Sequence, residues 1–239
     1  LGVASLVLLA IAACRTGDLN ESADAVETTT DVIAINVLIE PDATLARVAR
    51  QANQRLRASH PEGFALDATH TPHISLLHRY VRTRDLTTIY AAVDRIVANL
   101  QPRNWRLTAT GYETAPWERD VIVSIVVQRS PELAHLQAAL VSAFAPYMVE
   151  RGDEQAFVTT ADSMHIDPMT IEYVAMFVPR KVGTNFHPHI TVGLGDKSGA
   201  ELLRTESFRP IAFHSAAVAV YQLGNVGTAR KKLHKAPDK

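Results

Sequence analysis

The sequence predicts an α+β domain built from two βαβαβ halves. Three observations carry this reading. The order of strand and helix patterns starts again midway along 239 residues, matching strands of the two halves share a Pro-His-Ile-Ser/Thr motif, and 47% hydrophobic content supplies a core for both.

The first half opens with DVIAINVLIE (31–40), a β-rich run that Pro41 ends. Leu45, Val48, Ala49, Ala52 and Leu56 then recur at helical spacing and form one apolar stripe. TPHISLLHRY (71–80) returns to a strand pattern. A second helix begins near Asp85, carries Leu86, Ile89, Tyr90, Val93, Ile96, Val97 and Leu100, and stops at Pro102. NWRLTATGY (104–112) is the third strand.

The second half repeats the order. DVIVSIVVQ (120–128) resembles the strand at 31, and Ser130 and Pro131 cap and open a helix with Leu133, Leu136, Leu140 and Phe144 on one side. FHPHITVGL (186–194), a short helix near 198–206, and FRPIAFHSAAVAVYQL (208–223) complete it. His73 lies 42 residues after Asp31 and His189 lies 69 after Asp120, and the excess of 27 falls in an insertion at 151–185. Within it, RGDEQAFVTTADSMH reads as loop before Asp167-Pro168 start a helix. A period this long gives two similar lobes, about 31–112 and 120–223, and not a solenoid.

The matching strands read Thr71-Pro72-His73-Ile74-Ser75-Leu76 and His187-Pro188-His189-Ile190-Thr191-Val192. Side chains alternate along a strand, so each motif sets a histidine and a hydroxyl on one face and apolar residues on the other. An approximate two-fold axis would bring both pairs to one cleft.

The paired motifs resemble those of the 2H phosphoesterase superfamily, named for two H-x-[ST]-x signatures, with bacterial RNA 2',3'-cyclic phosphodiesterases, also called 2'-5' RNA ligases, among its members. The likeness covers roughly residues 31 to 223. It implies two antiparallel sheets facing one another across His73 and His189 with helices on the outer faces, His73 and His189 as catalytic residues, and Ser75 and Thr191 as their hydroxyl partners; the chemistry itself calls for no metal and no cofactor. The long insertion, the leader-like start and the lack of an obvious basic RNA track depart from the pattern and bear on substrate more than on chemistry. A small nucleotide, a sugar cyclic phosphate or an RNA end is the expected partner, acted on by a monomer.

The chemistry suits these residue types. Opening a cyclic phosphodiester takes a proton from attacking water and gives one to the leaving oxygen, and imidazole titrates near neutrality and does either. Hydroxyls donate to non-bridging oxygens as charge builds. Arg79, six residues past His73, shares its strand parity and is a candidate phosphate contact; His187 shares the face of His189. Arg180 and Lys181 precede the second motif, and Trp117, Tyr112 and Tyr221 are candidate stacking residues. Three other readings compete. His187 and His189 with His73 or His165 would make a three-histidine zinc site, the cleft would bind nucleotide or phosphate without turnover, or the histidines would be satisfied core residues.

Leu1 to Cys14 is an uncharged apolar run too short for an ordinary membrane-spanning helix, ending in Ile11-Ala12-Ala13-Cys14, which resembles a bacterial lipobox. Cys14 is the only cysteine, so no intrachain disulfide forms and a lipidation site is the expectation. Residues 1–14 then read as signal peptide, and the polar, acidic stretch 15–30 as a flexible tether. That places the domain in a bacterial cell envelope, lipid-anchored or secreted. A net charge of −1 gives no global field to gather long nucleic acid or anionic membrane. The one basic cluster, Arg230 to Lys235, falls in a C-terminal stretch (224–239) that reads as a solvated tail.

Overall fold

A computed structural model describes residues 31–160 and 163–237. The candidate signal peptide with Cys14 and the tether lie outside the described residues. Among those residues no helix is long and apolar enough to cross a membrane.

β1 (Val32–Pro41) sends Ile33, Ile35, Val37 and Ile39 into the main core, and α1 (Ala43–Ser59) lays Leu45, Ala49, Ala52 and Leu56 against the same core. Asp42 caps that helix, its Oδ1 accepting from the Thr44 and Leu45 N–H groups that have no partner inside the first turn. β2 (Ile74–Arg82) and α2 (Leu86–Leu100) follow; Gln101, at φ +49°, turns the chain out of α2 ahead of Pro102. β3 (Arg106–Trp117) and β4 (Asp120–Val127) form a hairpin, and α3 (Pro131–Phe144) starts at Ser130 with proline in its first turn.

The short β5 (Met148–Val149) precedes the insertion, which holds α4 (Pro168–Ala175), capped by Asp167, and α5 (Phe177–Lys181). β6 (His189–Gly195), α6 (Lys197–Thr205) and β7 (Ile211–Leu223) complete the second half. The βαβαβ order therefore appears twice, as read from the sequence.

All strand pairs are antiparallel, in the order β1-β2-β6-β4-β3-β7-β8, the last being Ala229–Lys235, with β1 also paired to β7 and β5 added to β2. The third strand of each half pairs with the first strand of the other: β7 lies beside β1, and β3 beside β4. Each sheet half thus takes strands from both sequence halves. The halves meet at a bridge between Ile74 and Ile190 and where Arg106–Ala109 pairs with Ile211–His214.

One expectation is corrected. Residues 229–235 are not a solvated tail but a strand, β8 (Ala229–Lys235), paired with β7. Two of its basic side chains have acidic neighbours: Lys232 Nζ lies 2.7 Å from Glu40 Oε1 and 5.3 Å from the Tyr221 ring centre, and His234 Nε2 lies 2.6 Å from Asp94 Oδ1 with its ring stacked on Tyr90. Charge along an outermost strand also discourages pairing with another chain.

A second feature governs the site. β2 carries one extra residue at Leu76, between the pairs Leu38–Ser75 and Val37–Leu77, and β6 carries one at Val192, between Ser124–Thr191 and Val123–Gly193. Both bulges fall directly after the His-x-Ser/Thr motif. Each puts a carbonyl out of the ladder, and a buried amide side chain answers it from a helix of the opposite half. Asn53 Nδ2 on α1 donates to Val192 O at 2.8 Å, and Gln137 Nε2 on α3 donates to Leu76 O at 3.1 Å. Gly193 makes room for the first of these, because a Cβ there would stand 3.0 Å from Asn53 Nδ2.

Candidate functional site

His73 stands one residue ahead of β2 and Ser75 inside it; His189 opens β6 and Thr191 follows two places on. A proline precedes each histidine. Proline has no N–H and holds the residue before it extended. The carbonyl of that residue is used the same way twice: His73 Nδ1–H donates to Thr71 O at 2.8 Å, and His189 Nδ1–H donates to His187 O at 2.8 Å. A carbonyl only accepts, so both neutral rings carry the proton on Nδ1 and leave the Nε2 lone pair free.

His73, Ser75, His189 and Thr191 line one cleft of about 470 Å³, within the range that holds a small ligand. Its walls are mainly apolar and come from distant parts of the chain: Phe64 and Leu66 from the loop before β2, Trp117 from the β3 end, and Tyr173 and Phe177 from the insertion. Asn53 holds the first of these walls, donating to Phe64 O at 2.9 Å and accepting from Leu66 N at 2.9 Å.

Burial sets the charge of the histidines. Loss of water pushes His73 down to about 4, against the opposing effects of its bond to Thr71 O and the Glu40 carboxylate, with His189 adding to the drop. His189 is lowered for the same first reason, opposed by its bond to His187 O and by Glu113. Both imidazoles are neutral at neutral pH in the free cleft.

His187, a weaker sequence candidate, does line the cleft, with Nε2 2.6 Å from Glu113 Oε2 and its ring centre 5.9 Å from that of His189. Trp117 and Lys181 line it too, the lysine Nζ lying 5.8 Å from the Tyr173 ring centre. Arg79 does not. The bulge at Leu76 shifts the alternation by one, so His78 takes the cleft face and Arg79, 5% exposed, falls on the face that carries Val81 into the core. Arg180 is exposed outside the cleft, Tyr112 packs edge-on against Phe208, and Tyr221 donates to Glu40 Oε1 at 2.7 Å beneath β8. His165 is exposed on the insertion, and among the described residues no three histidine, cysteine or carboxylate side chains converge to hold a metal.

Sequence reasoning passed over His78, Asn36 and the Tyr173/Phe177 wall. Signals existed for two of them. Asn36 is the one polar side chain inside the otherwise apolar VIAINVLI, and Tyr173 and Phe177 stand four apart beside the second motif.

The model of the 2'-5' RNA ligase superfamily matches residues 41–226, a span that contains both motifs and the insertion between them. The chain belongs to that superfamily. The resemblance drawn from the paired histidine motifs is thus correct at the family level. Among solved structures the chain is similar to E. coli LigT complexed with 3'-AMP, at 19% identity and a TM-score of 0.48, covering 87% of this chain and 100% of that one. It is also similar to TT0787 of Thermus thermophilus, at 14% identity and a TM-score of 0.47 over 85% and 97% of the two chains. E. coli LigT complexed with phosphate gives 18% and 0.43 over 86% and 97%. No curated protein matches the chain.

Proposed function

We propose that this member of the 2'-5' RNA ligase superfamily is a hydrolase that opens a 2',3'-cyclic phosphate or a closely related phosphodiester without a metal, with His73 and His189 as general acid and base. The observation that carries the reading is the duplicated restraint on the two imidazoles. Each is tied back through Nδ1 to a carbonyl two residues earlier, and both line one cleft with a hydroxyl two residues on.

In this reading a water attacks phosphorus and passes its proton to the Nε2 of one neutral imidazole. The bond from phosphorus to one ribose oxygen breaks, and that oxygen takes a proton from the other ring, which enters the step as imidazolium. Ser75 and Thr191 donate to the non-bridging oxygens as negative charge grows. The free cleft holds both rings neutral, so the phosphodiester anion itself supplies the charge that favours one imidazolium. The apolar walls suit a nucleoside, with the aromatic side chains of Trp117, Tyr173 and Phe177 among those that line the cleft.

The test is hydrolysis of 2',3'-cyclic mononucleotides by the full chain in EDTA, followed by separation of the 2'- and 3'-monophosphate products. Turnover unaffected by the chelator is expected. Saturable binding of the same nucleotides with no product would instead make the cleft a binding module, and activity lost in EDTA and restored by zinc would make it a metal site.

A further inference from the structure

Beneath Ser75 lie two polar side chains that the proposed reaction does not use. Asn36 on β1 and His78 on β2 are 0% and 2% exposed, and both reach the same atom: Asn36 Nδ2 donates to Ser75 Oγ at 2.9 Å, and His78 Nε2 lies 3.0 Å from it. His78 is itself fixed from the insertion. Its ring stacks on Phe177 at 4.6 Å and 5°, and meets Tyr173 edge-on at 5.5 Å and 81°.

Two further atoms decide where the protons sit. Asn36 Oδ1 and His78 Nδ1 are buried without a hydrogen-bond partner. An unpaired lone pair in such a place is tolerated more readily than an unpaired N–H. The histidine proton therefore belongs on Nε2, and the asparagine amide points its NH₂ group at the serine; the reverse arrangements would strand N–H groups. Ser75 Oγ then accepts twice, which uses both lone pairs, and its own proton has no direction left but the cleft that the residue lines.

We propose that Asn36 and His78 are positioning residues that fix Ser75 as a hydrogen-bond donor toward the phosphoryl group, and that His78 links the insertion to that donor. This inference rests on the proposed phosphodiester chemistry for its kinetic consequence, though not for the proton assignment. His78 is held neutral, since burial pushes it down to about 3. It occupies the position that the bulge at Leu76 moved to the cleft face, so the irregularity in β2 places the support directly under the hydroxyl.

Two measurements on the full chain test it. Proton–nitrogen correlation spectra of histidine-labelled protein should show His78 as the neutral Nε2–H tautomer from pH 5 to 8, with that resonance shifting in Ser75→Ala; an Nδ1–H tautomer overturns the proposal without any variant having to fold. In turnover of a 2',3'-cyclic mononucleotide, Ser75→Ala should lower kcat roughly 100-fold or more, as loss of a transition-state donor does. His78→Phe should lower kcat about 10-fold with KM little changed, and the double variant should be no slower than Ser75→Ala alone. Losses that multiply in the double variant would show that His78 acts apart from Ser75 and would overturn the proposal. If the unmodified protein turns over no cyclic phosphate yet His78 shows the Nε2–H tautomer bonded to Ser75, the functional reading falls and the positioning geometry stands.

Discussion

An imidazole enclosed as His78 is, between Phe177, Tyr173 and a serine hydroxyl, loses the water that would stabilise its charge, and the same loss acts on His73. The consequence for stability has a definite sign. Below the ordinary value of 6.5 the unfolded chain protonates these residues, while the folded chain holds His73 neutral to about 4 and His78 to about 3. The unfolded state then binds more protons, so the stability these two histidines contribute is fully present above pH 6.5 and is lost as pH drops through the window to about 4 and, for His78, to about 3. The slope approaches about 1.4 kcal/mol per pH unit for each such histidine. Urea unfolding at a series of pH values should show this decline, and His78→Phe should flatten it. Parallel curves for the two proteins would mean that His78 takes up its proton as readily folded as unfolded.

At the level of single elements, the site depends on two strand irregularities and the amides that satisfy them. Asn53 answers Val192 O, Phe64 O and Leu66 N, and Gln137 answers Leu76 O, Lys181 O and Gly183 N. Each buried group left without a partner costs about 1–3 kcal/mol, so Asn53→Leu and Gln137→Leu should each destabilise the fold by roughly 2–4 kcal/mol. Urea denaturation measures this, and a loss below about 1 kcal/mol would show that the bulge carbonyls find water instead. The bulges also mark where strand reading fails. Alternation placed His73, Ser75, His189 and Thr191 together, because nothing interrupts the pattern between histidine and hydroxyl. It misplaced Arg79, because the extra residue at Leu76 depends on pairing with β1 and on Gln137, which lies 61 residues away in sequence. Local periodicity carries no trace of such a partner. Helices were legible for the opposite reason: their apolar stripes, the Ser130 cap and the prolines at 102, 131 and 168 are local signals.

Across the whole molecule, the halves visible in the sequence are not the halves of the sheet. β3 and β7 cross to the opposite first strand, so the cleft sits between lobes that share strands, and neither lobe closes without the other. Duplication was readable because it repeats short patterns; the exchange was not, because it is a choice among distant partners with similar apolar faces. β8 was hidden by composition, since a run with few apolar residues reads as solvated until Glu40 and Asp94 are placed beside it. The insertion, which reads as a departure from the family pattern, supplies the Tyr173 and Phe177 wall and the packing around His78. The pair of histidines from the two halves remains the point on which the functional reading turns. The most direct measurement is kcat/KM for a 2',3'-cyclic mononucleotide in EDTA with the unmodified chain, His73→Ala, His189→Ala and the double variant. Each single substitution should lower it by roughly 100- to 10,000-fold while leaving the protein folded, with the double variant little worse than the more damaged single one. Near-normal turnover after either substitution would contradict a shared acid–base role for His73 and His189.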